Sequence, residues 1–272
     1  MGVDFVLDRS CQVKEKLGTE GLVGLVKSRN RAETILQMAR KDGNQKPPSE
    51  IHITLAVMTP EGTKEKRQVS VQSLLNESAP LDQLAPNCRT CPANLQGPSF
   101  GCYGTINYSI RASTEQWLMS LLPDDLDSTA GQILQRAVKD LGYDGTPILK
   151  LRNQKTFFED QRGTTRTWKG KGFFGRMSGG FSLTSSQLLQ MLFCLGPLQP
   201  SHCGMVSLFL GLIPHDSPAE ALKDKAVFEK AAANVGSRIQ VPSDDAGATN
   251  FFHLFQALVG AVVLEVPVLV DY

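Results

Sequence analysis

Two cysteines three positions apart, in Cys88-Arg89-Thr90-Cys91-Pro92, are followed after a turn-rich stretch by Gly101-Cys102-Tyr103, and no other part of this chain concentrates as much chemistry. A Cys-x2-Cys knuckle places two thiolates on one turn, where both reach a single ion without stretching the backbone. A third thiolate close behind begins either a tetrahedral zinc site or an iron–sulfur cluster. Pro92-Ala93-Asn94 and Gln96-Gly97-Pro98 turn the intervening chain back on itself, and Gly101 permits close backbone approach beside Cys102. Backbone amides around such turns donate to thiolates, and Arg89 inside the knuckle lowers the negative charge further.

A closed zinc site needs a fourth ligand. Cys11, Cys194, His202 and Cys203 are available, and Ser201-His202-Cys203-Gly204 reads as a loop able to supply it. The expected ligand set is therefore Cys88, Cys91, Cys102 and Cys203, with zinc as the metal. An iron–sulfur cluster on the same thiolates is the alternative, since Pro92 after Cys91 echoes the Cys-Pro of ferredoxin-like segments. The bland reading is a set of reduced cysteines, or a thiol–disulfide pair, sharing a turn by chance.

A second candidate is the basic, aromatic stretch ending in Trp168-Lys169-Gly170-Lys171-Gly172-Phe173-Phe174-Gly175-Arg176. Its glycines spell G-x-G-x-x-G, but no helix opens at Gly175 and no acidic residue follows where a ribose contact belongs, so a dinucleotide site is excluded. What remains is a glycine-rich loop in which Arg162, Arg166, Trp168, Lys169, Lys171 and Arg176 are set to contact a polyanion or an acidic protein surface. An ordinary mobile hairpin has the same composition. Between Met177 and His215 there is no charged residue, which reads as a buried helix pair or an apolar groove for a partner. No G-x-S-x-G or H-E-x-x-H motif occurs, so nothing in the sequence decides for or against an enzyme.

Composition narrows the class. The chain has 272 residues, 41% hydrophobic and 20% charged, with a net charge of +1, which suits a globular fold and provides no global field toward nucleic acid or membrane. Its six cysteines follow no basic-then-apolar leader and read as reduced thiols in a cytoplasmic protein. The longest apolar stretch, 254–264, runs into Glu265 and Pro267, short of the roughly 20 residues of a membrane span.

The elements that must position these residues follow from periodicity. Strands are expected at 3–7, where Asp4 takes the polar phase, at 51–57, at 68–71 after a turn at Pro60-Glu61-Gly62, at 105–110 and at 262–270. Helices are expected at 19–40, with a break at the basic run 27–31, and after the start signals Ser113-x-x-Gln116, Asp127 or Ser128, Thr184-x-x-Gln187 and Ser217-Pro218-Ala219-Glu220. A last helix is expected at 249–259. The result is an α+β fold, a mixed or antiparallel sheet with several packed helices and a cysteine-rich metal loop. It is read as one domain, with a division into two lobes near 123–128 as the alternative. The expected function is binding, as a regulatory or complex-forming component with a protein partner and a structural zinc; the alternatives are an iron–sulfur redox or sensor protein and a nucleic-acid-binding protein using the basic loop 162–176.

Overall fold

The computed structural model describes residues 2–58, 64–95, 97, 99–169 and 180–271. It combines helices with small antiparallel sheets, the α+β class read from the sequence. The chain divides into two compact units: Ser10–Phe100, here the knuckle unit, and residues 2–9 with 101–271, the sheet unit. The acidic stretch 123–128 lies inside the sheet unit, so the boundary sits elsewhere than the sequence suggested.

Strand β1 (Gly2–Leu7) is buried along nearly its whole length. Asp4 departs from its expected solvent-facing phase: the hydroxyls of Tyr103 and Thr105 donate to its carboxylate at 2.6 and 2.7 Å. Those bonds replace the water a buried carboxylate gives up.

The knuckle unit follows. Helix α1 (Gln12–Lys41) is broken at Gly18, whose φ of 69° is left-handed backbone that glycine takes without steric cost. The basic run does not break it. Ser28 donates to Glu77, and Arg29 donates to the Ser78 carbonyl and pairs with Asp82, which ties that stretch to the elements beside it. Strands β2 (His52–Met58) and β3 (Lys64–Ser70) form an antiparallel hairpin; its expected turn at Pro60-Glu61-Gly62 lies outside the described residues. Helix α2 (Val71–Ser78) starts where Ser70 accepts from the Ser73 amide, and α3 (Pro80–Leu84) runs directly into a 3-10 turn, Ala85–Cys88. Ala32, Ile51, Val71 and Leu74 are the core of this unit, with Leu36, Ile53 and Val69 packed around them.

In the sheet unit, β4 (Tyr103–Asn107) and β7 (Val268–Asp271) flank β1, both antiparallel to it. Val3 lies opposite Ile106, and Phe5 opposite Gly104 on one side and Val270 on the other. Between these strands come α4 (Ala112–Ser120), α5 (Thr129–Asp140), α6 (Thr146–Arg152), the hairpin β5 (Thr165–Trp168) with β6 (Phe181–Thr184), and α7 (Ser185–Phe193). Then follow α8 (Pro200–Phe209), α9 (Lys225–Arg238) and α10 (Ala246–Leu264). The uncharged run is a buried helix pair: every residue of α7 except Gln187 is buried, and α8 buries Cys203, Val206, Leu208 and Phe209. Helix α10 has the length and composition to cross a membrane, yet 56% of its apolar window is buried inside the fold.

Local start signals met mixed outcomes. Thr184 and Gln187 form the expected capping box, and Ser128 caps α5. Ser113 does not cap α4; its hydroxyl donates to Asp245, which itself caps α10 by accepting from the amides of Gly247 and Ala248. The helix expected from Ser217 is a short 3-10 turn, Ala219–Lys223, and α9 begins only after Asp224 accepts from the Ala226 amide.

Candidate functional site

Cys88 ends the 3-10 turn and is 6% exposed, while Cys91 is half-buried. The turn between them is closed by the Cys91 amide donating to the Cys88 carbonyl at 3.2 Å. Asn94 locks the next step, its amide donating to the Cys91 carbonyl at 2.9 Å and its side chain to the Cys88 carbonyl at 3.1 Å. Sequence alone places two cysteines on a turn; the clamp by Asn94 is what keeps the turn in one shape.

The backbone on the far side of the loop is also specialised. Phe100, buried, holds a φ of 68°, a region costing a non-glycine residue roughly 1–2 kcal/mol. Its backbone amide acts on the Cys88 thiol, lowering its pKa. Burial is the largest influence on the Cys88 thiol and raises its pKa; the Phe100 amide opposes this, and the nearby charges of Cys91 and Cys11 raise it further. Cys11 is the N-cap residue of α1 and is half-buried. The knuckle unit thus brings Cys11, Cys88 and Cys91 within electrostatic range, a third partner that the sequence offered only as one option among several.

The remaining expected ligands belong to the sheet unit. Cys102 is buried at the entry to β4, and its carbonyl accepts from the Leu7 amide at 2.9 Å. Cys203 is not in a loop but in the body of α8, fully buried, with its thiol 3.5 Å from the Leu198 carbonyl. Burial pushes that thiol up to about 12. Its neighbour His202 is also engaged. A carbonyl only accepts, so Nε2 carries the proton shared with Met191 at 2.9 Å, and Nδ1 faces the Tyr143 hydroxyl. Among the described residues, no three His, Cys, Asp or Glu side chains are gathered closely enough to hold a metal ion.

The basic stretch disperses. Arg166 donates to the carbonyls of Met119 and Leu122 at the end of α4 and pairs with Asp124 at 2.6 Å. Trp168, expected to stack on a ligand, is 7% exposed, with its indole N–H on the Pro123 carbonyl and its ring against Phe181. A ring so covered offers no face to a base, which corrects the sequence reading of these two residues. Arg162 and Lys169 are exposed; Lys171 and Arg176 lie outside the described residues.

Arg152, ahead of this basic stretch in the chain, is 1% exposed. It forms a two-pronged ion pair with the buried Glu115, donates to the Asp160 carbonyl and to both Ser185 and Ser186, and lies 4.2 Å above the Phe158 ring. Gly163 admits this packing: a Cβ there would meet the Ser185 hydroxyl at 2.7 Å and the guanidinium at 2.8 Å. A cleft lined by Asp124, Asp125, Asp127, Ser128, His215 and Asp216 gathers carboxylates, yet Asp124 already pairs with Arg166 and Ser128 caps α5. Compared with known proteins, the chain matches no family, no curated protein and no solved structure.

Proposed function

We propose that the knuckle unit is a thiolate metal-binding module built on Cys88 and Cys91, with Cys11 drawn in only when the ion binds, and that the chain acts through binding, as a regulatory or complex-forming component. The observation that supports this reading is the knuckle turn itself: two thiols on one Asn94-clamped turn, a backbone amide acting on the Cys88 thiol, and a third thiol in electrostatic range. Amide-to-sulfur donation is what offsets thiolate charge around a bound cation. Zinc is the favoured occupant, drawing the sulfurs to about 2.3 Å from the ion. Cys102 stands as a further ligand on sequence grounds alone.

Elemental analysis of anaerobically purified protein tests it. One equivalent of zinc is expected, lost in Cys88→Ser and Cys91→Ser and weakened in Cys11→Ser, while Cys203→Ser retains it. Cys102→Ser, measured alongside, decides whether that thiol completes the set. Chelator should lower the melting temperature of the wild type and leave that of Cys91→Ser unmoved, because metal-binding energy is folding energy where the unfolded chain has no site. Iron with visible absorbance that bleaches on reduction selects the cluster instead. Protein that holds no metal and ignores chelator sinks the reading.

A further inference from the structure

Cys88 and Cys91 share a turn closed by a hydrogen bond between the first and fourth residues. Such a turn holds its end Cα atoms within about 7 Å, and disulfides span roughly 4.4–6.8 Å between Cα atoms. The backbone therefore need not move far to let the two sulfurs join. The pair is also asymmetric: Cys91 is half-buried, whereas Cys88 is 6% exposed. Accessible sensor cysteines beside a sheltered resolving cysteine have this arrangement.

We propose that Cys88 and Cys91 are a peroxide-sensitive dithiol whose oxidation discharges the metal site, a regulation that rests on the metal-binding reading for its consequence but not for its chemistry. The Cys91 thiolate attacks a hydroperoxide: an S–O bond forms, the O–O bond breaks, and the sulfur is oxidised by two electrons to the sulfenic acid as hydroxide leaves. Cys88 then attacks that sulfur. An S–S bond forms, the S–O bond breaks, and the departing hydroxide combines with the Cys88 proton as water. Dithiol and hydrogen peroxide thus yield disulfide and two waters, and a thiol reductant reverses the change. Cys11, the third thiol within range, is the competitor for Cys88.

The test begins with full-length protein stripped of metal by chelator and treated with a few equivalents of hydrogen peroxide. Maleimide labelling is expected to fall by two thiols out of six, with a Cys88–Cys91 link in the non-reduced peptide map and full recovery in dithiothreitol. Cys88→Ser should let Cys91 run on to the sulfinic acid, since no thiol resolves the sulfenic state. Retention of all six labels, a link from Cys88 to Cys11, or an unoxidised Cys91 in Cys88→Ser overturns the proposal. Zinc-loaded protein is then oxidised with a chromogenic chelator present, and ion release should keep pace with the disulfide. A disulfide that forms in protein holding no metal at any stage fails the metal reading alone. A loaded site that keeps its ion while the disulfide forms overturns the regulatory link.

Discussion

In the sheet unit the guanidinium of Arg152 spends each of its N–H donors on Glu115, Asp160, Ser185 or Ser186, and Cys203 sits protonated inside a helix. In the knuckle unit Cys88 and Cys91 are placed by backbone bonds, with Cys91 half-buried. Both regions concentrate groups that burial penalises. The Arg152 cluster meets every guanidinium donor, which leaves it chemically silent. The knuckle unit fixes the positions of Cys88 and Cys91 and leaves their bonding capacity open to an ion or an oxidant. Saturation, more than residue type, separates a structural cluster from a candidate site here.

The comparison breaks most visibly at Arg152. Arg152→Met strands the Glu115 carboxylate in the interior and should cost about 3–5 kcal/mol in urea unfolding. The double variant Arg152→Met with Glu115→Gln should recover a large part of that loss, because it removes both charges together. A single variant as stable as wild type would mean that water reaches Glu115 and that the cluster is not closed.

A second test reads the other silent group through pH. Folded Cys203 keeps its proton to about 12, against an ordinary thiol value of 9.0, so the native state binds more protons between those limits. Its contribution is whole below pH 9.0 and is lost as pH rises toward 12, by up to about 4 kcal/mol. Cys203→Ala should flatten that alkaline decline. His202, His215 and His253 act at the opposite end: burial, the largest influence on each, lowers their pKa values below 6.5. The unfolded chain then takes up more protons, and stability should fall as pH drops through 6.5.

Thr184→Ala sets the lower end of the scale. It removes the capping box of α7 but leaves the freed amide where solvent can reach it, at a cost of about 1 kcal/mol. A loss as large as that of Arg152→Met would blur the distinction between saturated and open sites.

Legibility followed the range of the interactions. Thr184 and Ser128 were readable because cap and capped amide lie within one turn of each other. Ser113 matched the same pattern and was diverted by Asp245, a partner 132 positions away that no local pattern contains. Helix α10 passed through 262–264, read as strand, because a continuous apolar run has no period to tell the two apart. Nothing local marks Arg152 as buried, because Glu115 is brought to it by α4 and α6 both packing against α7. The knuckle was legible as two thiols on a turn. Its Asn94 clamp and the left-handed Phe100 amide were not, since both are backbone geometry.

The order of strands in the β4–β1–β7 sheet carries a consequence for how the chain is made. During synthesis β1 emerges before all of Ser10–Phe100, β4 follows only at Tyr103, and β7 not until Val268. Of the three strands the central one is thus made first and completed last, with Val3, Phe5 and Val6 lacking one neighbouring strand until Val268 is made. The knuckle unit has its whole core on the growing chain well before then. Leu7 and Cys102 are joined by a backbone hydrogen bond, so the chain leaves the sheet and returns to it at one place. A short loop joining Arg9 to Gly101 would let β1 and β4 meet as an ordinary hairpin, formed early instead of late.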